Sequence, residues 1–179
     1  MMKANAVAGD DRVTNKKGFT LVELIVVIAI MGVLITMAMF SYQTIQQRAD
    51  VEQKVKRMYT DLMNTRIRAM QRGREHFVFM PTGATTYSMY EDTFTAPDGD
   101  GDPNTANDTL LSSQSVAPYT LVLQTADMSP VRFNSKGLVT SPTGWVRIDS
   151  TAGGEYDCIE IGQIKRGMGK MNGTNCDVK

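Results

Sequence analysis

The chain has one histidine, His76, and two cysteines, Cys158 and Cys176, in 179 residues. No CxxC pair accompanies the cysteines and there is no histidine cluster, so the usual zinc-ligand sets are missing. There is also no GxSxG, no HExxH and no phosphate-binding glycine loop. His76 has no neighbouring nucleophile or acid in the sequence to orient it, and reads as structural. Excess charge is absent too: 19 basic residues balance 19 acidic ones, so no global field selects nucleic acid or an acidic partner. These absences point away from an enzyme.

From Phe19 to Phe40 proline is absent, glycine occurs once, and Glu23 is the lone charge. As a helix this run spans roughly 33 Å, the thickness of a bilayer. A secretory signal peptide would have a shorter apolar core ending in small residues, which Leu34 to Tyr42 does not show. The run is therefore expected to remain on the protein as a transmembrane helix. A carboxylate carried into hydrocarbon costs about 2.5–3.5 kcal/mol, so Glu23 calls for a partner. A cut between Gly18 and Phe19 would create an α-amino group with which Glu23 of a neighbouring subunit could pair inside a helix bundle. Otherwise Glu23 marks the membrane interface of an ordinary signal anchor.

Lys17-Gly18-Phe19-Thr20-Leu21-Val22-Glu23 resembles the class III signal of type IV pilins and type II secretion pseudopilins. The resemblance implies a leader over residues 1–18, cleavage by prepilin peptidase between Gly18 and Phe19, N-methylation of Phe19, and Glu23 as the assembly carboxylate. Gly32 fits the same helix, whereas Phe40 stands where many major pilins carry a kinking proline, a departure toward a minor subunit. Lys16 and Lys17 beside the first membrane segment favour the cytoplasmic side. That places the rest of the chain across the bacterial inner membrane, with its head in the periplasm. In that oxidising space Cys158 and Cys176 are either a disulfide, contributing roughly 3 kcal/mol, or two buried thiols.

After Phe40 no proline or glycine occurs until Gly73, and Val51, Val55, Met58, Leu62, Thr65 and Ala69 recur at spacings of four and three. This predicts a second helical segment, residues 41–74, with one amphipathic stripe facing a head of residues 75–179. Gly73 ends the helix. Arg66, Arg68, Arg72 and Arg74 lie around that helix without interleaved aromatics, and read as a solvated or subunit-facing surface. The period then changes to two. Strands are expected at His76–Met80, Thr86–Tyr90, Tyr119–Leu123, Trp145–Asp149 and Asp157–Ile161, with a hairpin of Val131–Phe133 and Leu138–Thr140 around Asn134-Ser135-Lys136-Gly137. The fold class is α+β, a long helix packed on an antiparallel sheet.

Residues 91–118 read as a long polar insertion, with an acidic loop over 91–109. In Asp98-Gly99-Asp100-Gly101-Asp102-Pro103-Asn104, with Asp108 behind, side-chain oxygens from Asp98, Asp100, Asp102 and Asn104 could converge on Ca²⁺. Pro103, Ala106 and Thr109 break the EF-hand pattern, leaving a solvated acidic loop as the other reading.

Leu62 to Met70 followed by a strand, then Arg132 to Gly137, then Ile159-Glu160-Ile161-Gly162 with a terminal cysteine, resembles the head of the GspH/FimT minor pseudopilins. That implies a structural subunit without cofactor, polymerising with other pilin or pseudopilin subunits for type II secretion or pilus assembly. Some FimT-like members bind DNA for uptake through a basic C-terminal loop, which makes Lys165, Arg166 and Lys170 the candidates for DNA as an alternative partner.

Overall fold

A computed structural model describes residues 18–94, 99–164 and 166–179, with Phe40 described only by its backbone. The leader before Gly18, Asp98 and Lys165 lie outside the described residues. Two units divide the chain, Met1–Ser41 and Tyr42–Lys179. The helix α1, Leu21–Arg72, contributes to both.

In the second unit α1 buries the predicted stripe. Val51, Val55, Met58, Leu62 and Ala69 are fully enclosed, and Thr65 is buried with its hydroxyl donating to the Asp61 carbonyl at 2.7 Å. That internal bond lets a polar residue occupy a core position without an orphaned group. Gly73 closes the helix as expected. Its φ of +70° is a left-handed conformation that glycine adopts freely, and its N–H reaches the Ala69 carbonyl at 3.0 Å.

The described residues form two antiparallel sheets against the stripe. The first, in spatial order, holds β3 (Thr109–Ser115), β2 (Thr86–Glu91), β1 (His76–Phe79) and β5 (Val131–Phe133). The second holds β4 (Thr120–Leu123), β6 (Gly144–Asp149), β7 (Cys158–Ile161), β8 (Arg166–Asn172) and β9 (Asn175–Val178). Inward residues of both sheets, among them Val78, Tyr87, Phe133, Leu121, Val146 and Ile159, join the helix stripe in one core cluster. Every buried apolar residue of the core lies at Val51 or later, so the second unit carries its own core. Tyr87 enters that core because its hydroxyl donates to Asp61 Oδ2 at 2.7 Å. Burial, then that bond, push its pKa up.

Three features differ from the sequence expectation. The polar insertion contains a strand, β3, which pairs with β2 although Thr-Leu-Leu-Ser-Ser-Gln-Ser shows no apolar alternation. It is an edge strand, held by its backbone ladder and by Ser88 bonding Ser113 at 2.9 Å, so no buried face imposed a pattern. The expected second arm of the Asn134–Gly137 hairpin is only an isolated bridge, Phe133 to Val139, because the Val139 N–H turns to the Gln163 carbonyl. Finally, the C-terminal residues, for which the resemblance implied a basic loop, form a hairpin, β8 and β9.

Cys158 and Cys176 form a disulfide, resolving the alternative that the sequence left open. It joins β7 to β9 across the intervening β8, with a Cα separation of 6.0 Å. Strands two places apart in a flat sheet would be about 9.6 Å apart, so the sheet must fold over itself here. Glycines in β8 permit this: a Cβ on Gly169 would stand 2.3 Å from the Asp177 carbonyl oxygen, and one on Gly167 would stand 2.2 Å from Val178 Cγ1.

Candidate functional site

The amino-terminal segment begins with Gly18 and Phe19, both exposed, followed by Thr20 just ahead of α1. Thr20 is the helix N-cap. Its Oγ1 accepts the Glu23 backbone N–H at 3.2 Å and its carbonyl accepts the Leu24 N–H at 3.2 Å. Thr20-Leu21-Val22-Glu23 has the T-x-x-E spacing of a capping box, the signal in the sequence that could have singled out Thr20. The cap fixes where the helix starts. It also places Glu23 in the first turn, where the positive end of the helix dipole favours a carboxylate. Every large apolar residue from Leu21 to Met39 is at least 45% exposed, with mean hydropathy 2.7 over the best window. Such a surface is incompatible with water and demands lipid or other apolar helices.

In the head, His76 is buried beside a charged cluster that the sequence did not reveal. Its Nδ1 meets the Arg74 carbonyl at 3.2 Å, and its Nε2 lies 3.9 Å from Glu91 Oε2 without a hydrogen bond. Glu91, itself buried, is 3.5 Å from Arg74 and 3.7 Å from Arg72. Burial lowers the pKa of His76; Arg72 and Arg68 add to this, while the Arg74 carbonyl and Glu91 oppose it. The folded state therefore holds His76 neutral where the unfolded chain, with a pKa of about 6.5, begins to protonate. The sign follows: this stability is fully present above the unfolded pKa and is lost as pH falls toward the lowered folded value. Because His76 is the only histidine, the urea midpoint of the head should fall between pH 7 and 5. His76→Gln should flatten that dependence, and equal slopes in both proteins would refute the assignment. Nothing in this cluster supplies a nucleophile.

The acidic loop is organised by two carboxylates, of which the sequence singled out only Asp108. Buried Asp92 accepts N–H bonds from Asp100 at 3.2 Å and Gly101 at 2.8 Å, while Asp108 accepts from Thr93, Phe94 and Asn104. Arg132 ties the loop down by donating to the Gly101 carbonyl and to Glu75. Of the residues predicted for Ca²⁺, Asp100 Oδ1 accepts the Asp102 N–H and Asn104 Oδ1 the Ala106 N–H. Among the described residues no group of three or more His, Cys, Asp or Glu side chains is placed to hold a metal.

The two described DNA-binding candidates have different surroundings. Lys170 is exposed and lines a polar depression with Arg48, Glu52, Glu155 and Lys179. Arg166 lays its guanidinium over the Phe133 ring, 4.9 Å from the centroid, with its nitrogens buried.

Comparison with known families bears on both ends of the chain. Neither curated proteins nor solved structures gave a match. The model of the prokaryotic N-terminal methylation motif matches residues 13–39, covering Gly18, Phe19, the Thr20 cap and Glu23. The model described as type II transport protein GspH matches residues 54–163, from the buried stripe of α1 to the end of β7. With its apolar amino-terminal helix the chain is a membrane-anchored, single-pass protein. A capped helix opening on a methylation motif, followed by a two-sheet head that fits this model over more than half the chain, makes it a member of the GspH family of pilin-like minor pseudopilins.

Proposed function

We propose that the chain is a minor subunit of a short filament serving type II secretion or type IV pilus assembly. It is cut between Gly18 and Phe19 by prepilin peptidase, methylated on Phe19, and drawn from the inner membrane with its head on the periplasmic side. The observation that carries this reading is the exposed apolar surface that runs all round Leu21–Met39, with Glu23 in its first turn. In a bundle of like helices that surface is buried by its neighbours. Glu23 gains a counter-charge from the new α-amino group of an adjacent subunit's Phe19, which fixes the axial register. The head then displays its loops to neighbouring minor subunits or cargo. Its work is mechanical and needs no cofactor.

The test is intact mass and N-terminal sequencing of the chain expressed with and without prepilin peptidase. A product beginning at N-methyl-Phe19 only in the presence of the peptidase is expected. Glu23→Ala should be processed normally yet be missing from the sheared filament fraction. Assembly of Glu23→Ala at wild-type level would overturn the role of the carboxylate.

A further inference from the structure

Two arginines gather beside the turn that leaves β5, and among the described residues one of them, Arg166, finds no acceptor. Arg166 Nε, Nη1 and Nη2 are all buried and unbonded. Arg66 approaches from α1, its Nε donating at 2.9 Å to the carbonyl of Gly137, in the turn that leaves β5 just after the Phe133 ring on which Arg166 lies. Among the described residues neither arginine has a carboxylate within ion-pair distance. Burial first, and Arg66 second, bring the pKa of Arg166 down to about 10, while the Tyr59 phenol opposes them. A desolvated guanidinium with no counter-charge is among the least favourable arrangements in a folded protein. A subunit whose described residues supply no such counter-charge is poised for an anion from outside.

We propose that Arg66 and Arg166 form a receptor for one carboxylate side chain, an Asp or Glu of a neighbouring subunit in the filament. This rests on the filament reading above. A guanidinium fork matches a carboxylate in plane and spacing and can take both oxygens at once. Exposed Met70, one helical turn from Arg66 and beside Gly137, lays apolar surface next to the site. The chemistry favours a protein carboxylate over nucleic acid. Duplex binding draws on several cations tracking the phosphates, whereas here one fork is sunk onto Phe133, and Lys170 stands among Glu52 and Glu155. Arg166 is only half-buried as a residue and stands two positions after exposed Ile164, so binding requires a turn of its side chain that presents the fork to the incoming carboxylate.

The site can be tested in the isolated head, residues 42–179, which carries its own core. Sodium propionate, the side-chain fragment of glutamate, is titrated against sodium chloride at constant ionic strength while the arginine Nε–H resonances are followed. Saturable shifts of Arg166 and Arg66 are expected, with the Arg166 shift lost in Arg66→Met. Arg166→Met should raise the Tm of the free head by about 3 °C or more, since it removes an uncompensated charge. The proposal is overturned by equal responses to propionate and chloride, by a lower Tm in Arg166→Met, or by a short DNA duplex that shifts these resonances at far lower concentration than propionate. Sheared filaments that take up Arg166→Glu as readily as wild type would overturn the assignment to a neighbouring subunit. Loss of the wild-type chain itself from filaments would count instead against the filament reading, because the propionate titration needs no filament.

Discussion

Gly169→Ala is expected to cost the head about 3–5 kcal/mol and to leave two titratable thiols in place of the disulfide. The added methyl would meet backbone, the Asp177 carbonyl oxygen at 2.3 Å and its carbon at 2.7 Å, so rotation of a side chain cannot relieve it. β9 must then lift away from β8. Cys176 rides on β9 and Cys158 stays on β7, so the lift separates the pair and removes the cross-link along with the packing. Two controls separate this from a generic effect of filling a glycine. Gly167→Ala meets a side-chain methyl of Val178, which can turn aside, and should cost less. Gly173→Ala has open space and should cost only the roughly 1 kcal/mol of a left-handed alanine at φ +63°. Thiol titration with thermal denaturation decides the matter. A Gly169→Ala head with an intact disulfide and wild-type Tm would show that β9 does not sit tightly against β8.

Leu62→Ala should lower stability by about 2–5 kcal/mol, read as a shift of the urea midpoint with an unchanged slope. Leu62 has no exposed surface and sits mid-stripe between Met58 and Thr65, facing both sheets in the same core cluster. Neighbours anchored on two sheets and a helix cannot collapse together into the vacated space. Ile67, five residues further along α1 and 44% exposed, is the comparison: Ile67→Ala should stay within about 0.5 kcal/mol. Similar losses at both positions would mean that the stripe is not the face the head is built on.

The helix stripe and the central strands could be read from the sequence because a buried face leaves a period, near 3.6 in Val51 to Ala69 and 2 in Trp145 to Asp149. The edges could not. β3 is hydroxyl-rich and only partly covered, and β8 is punctuated by glycines that let β9 approach closely, so neither writes an alternation. The amino-terminal motif was the easiest to read, since Gly18, Phe19 and Glu23 stand within six residues of one another, although the Thr20 cap between them was passed over. Arg166 shows the opposite case. A cation near the C-terminus reads as solvated until the fold lays it on Phe133 and sets Arg66 beside it, and those partners lie 33 and 100 positions away. The Glu91 cluster was missed for the same reason: His76 and Glu91 become neighbours only through the register of β1 with β2.

The burial of Val51 to Ala69 also bears on load. These residues extend over roughly 27 Å of α1, and all of them are gripped by the sheets. A tug along the axis of this segment strains the grip in shear, where the interlocked side chains along its length must yield together, whereas peeling would release them one after another. The sheets thus hold this segment of α1 as a socket holds a splined rod, so that a load along it is resisted by the whole grip at once.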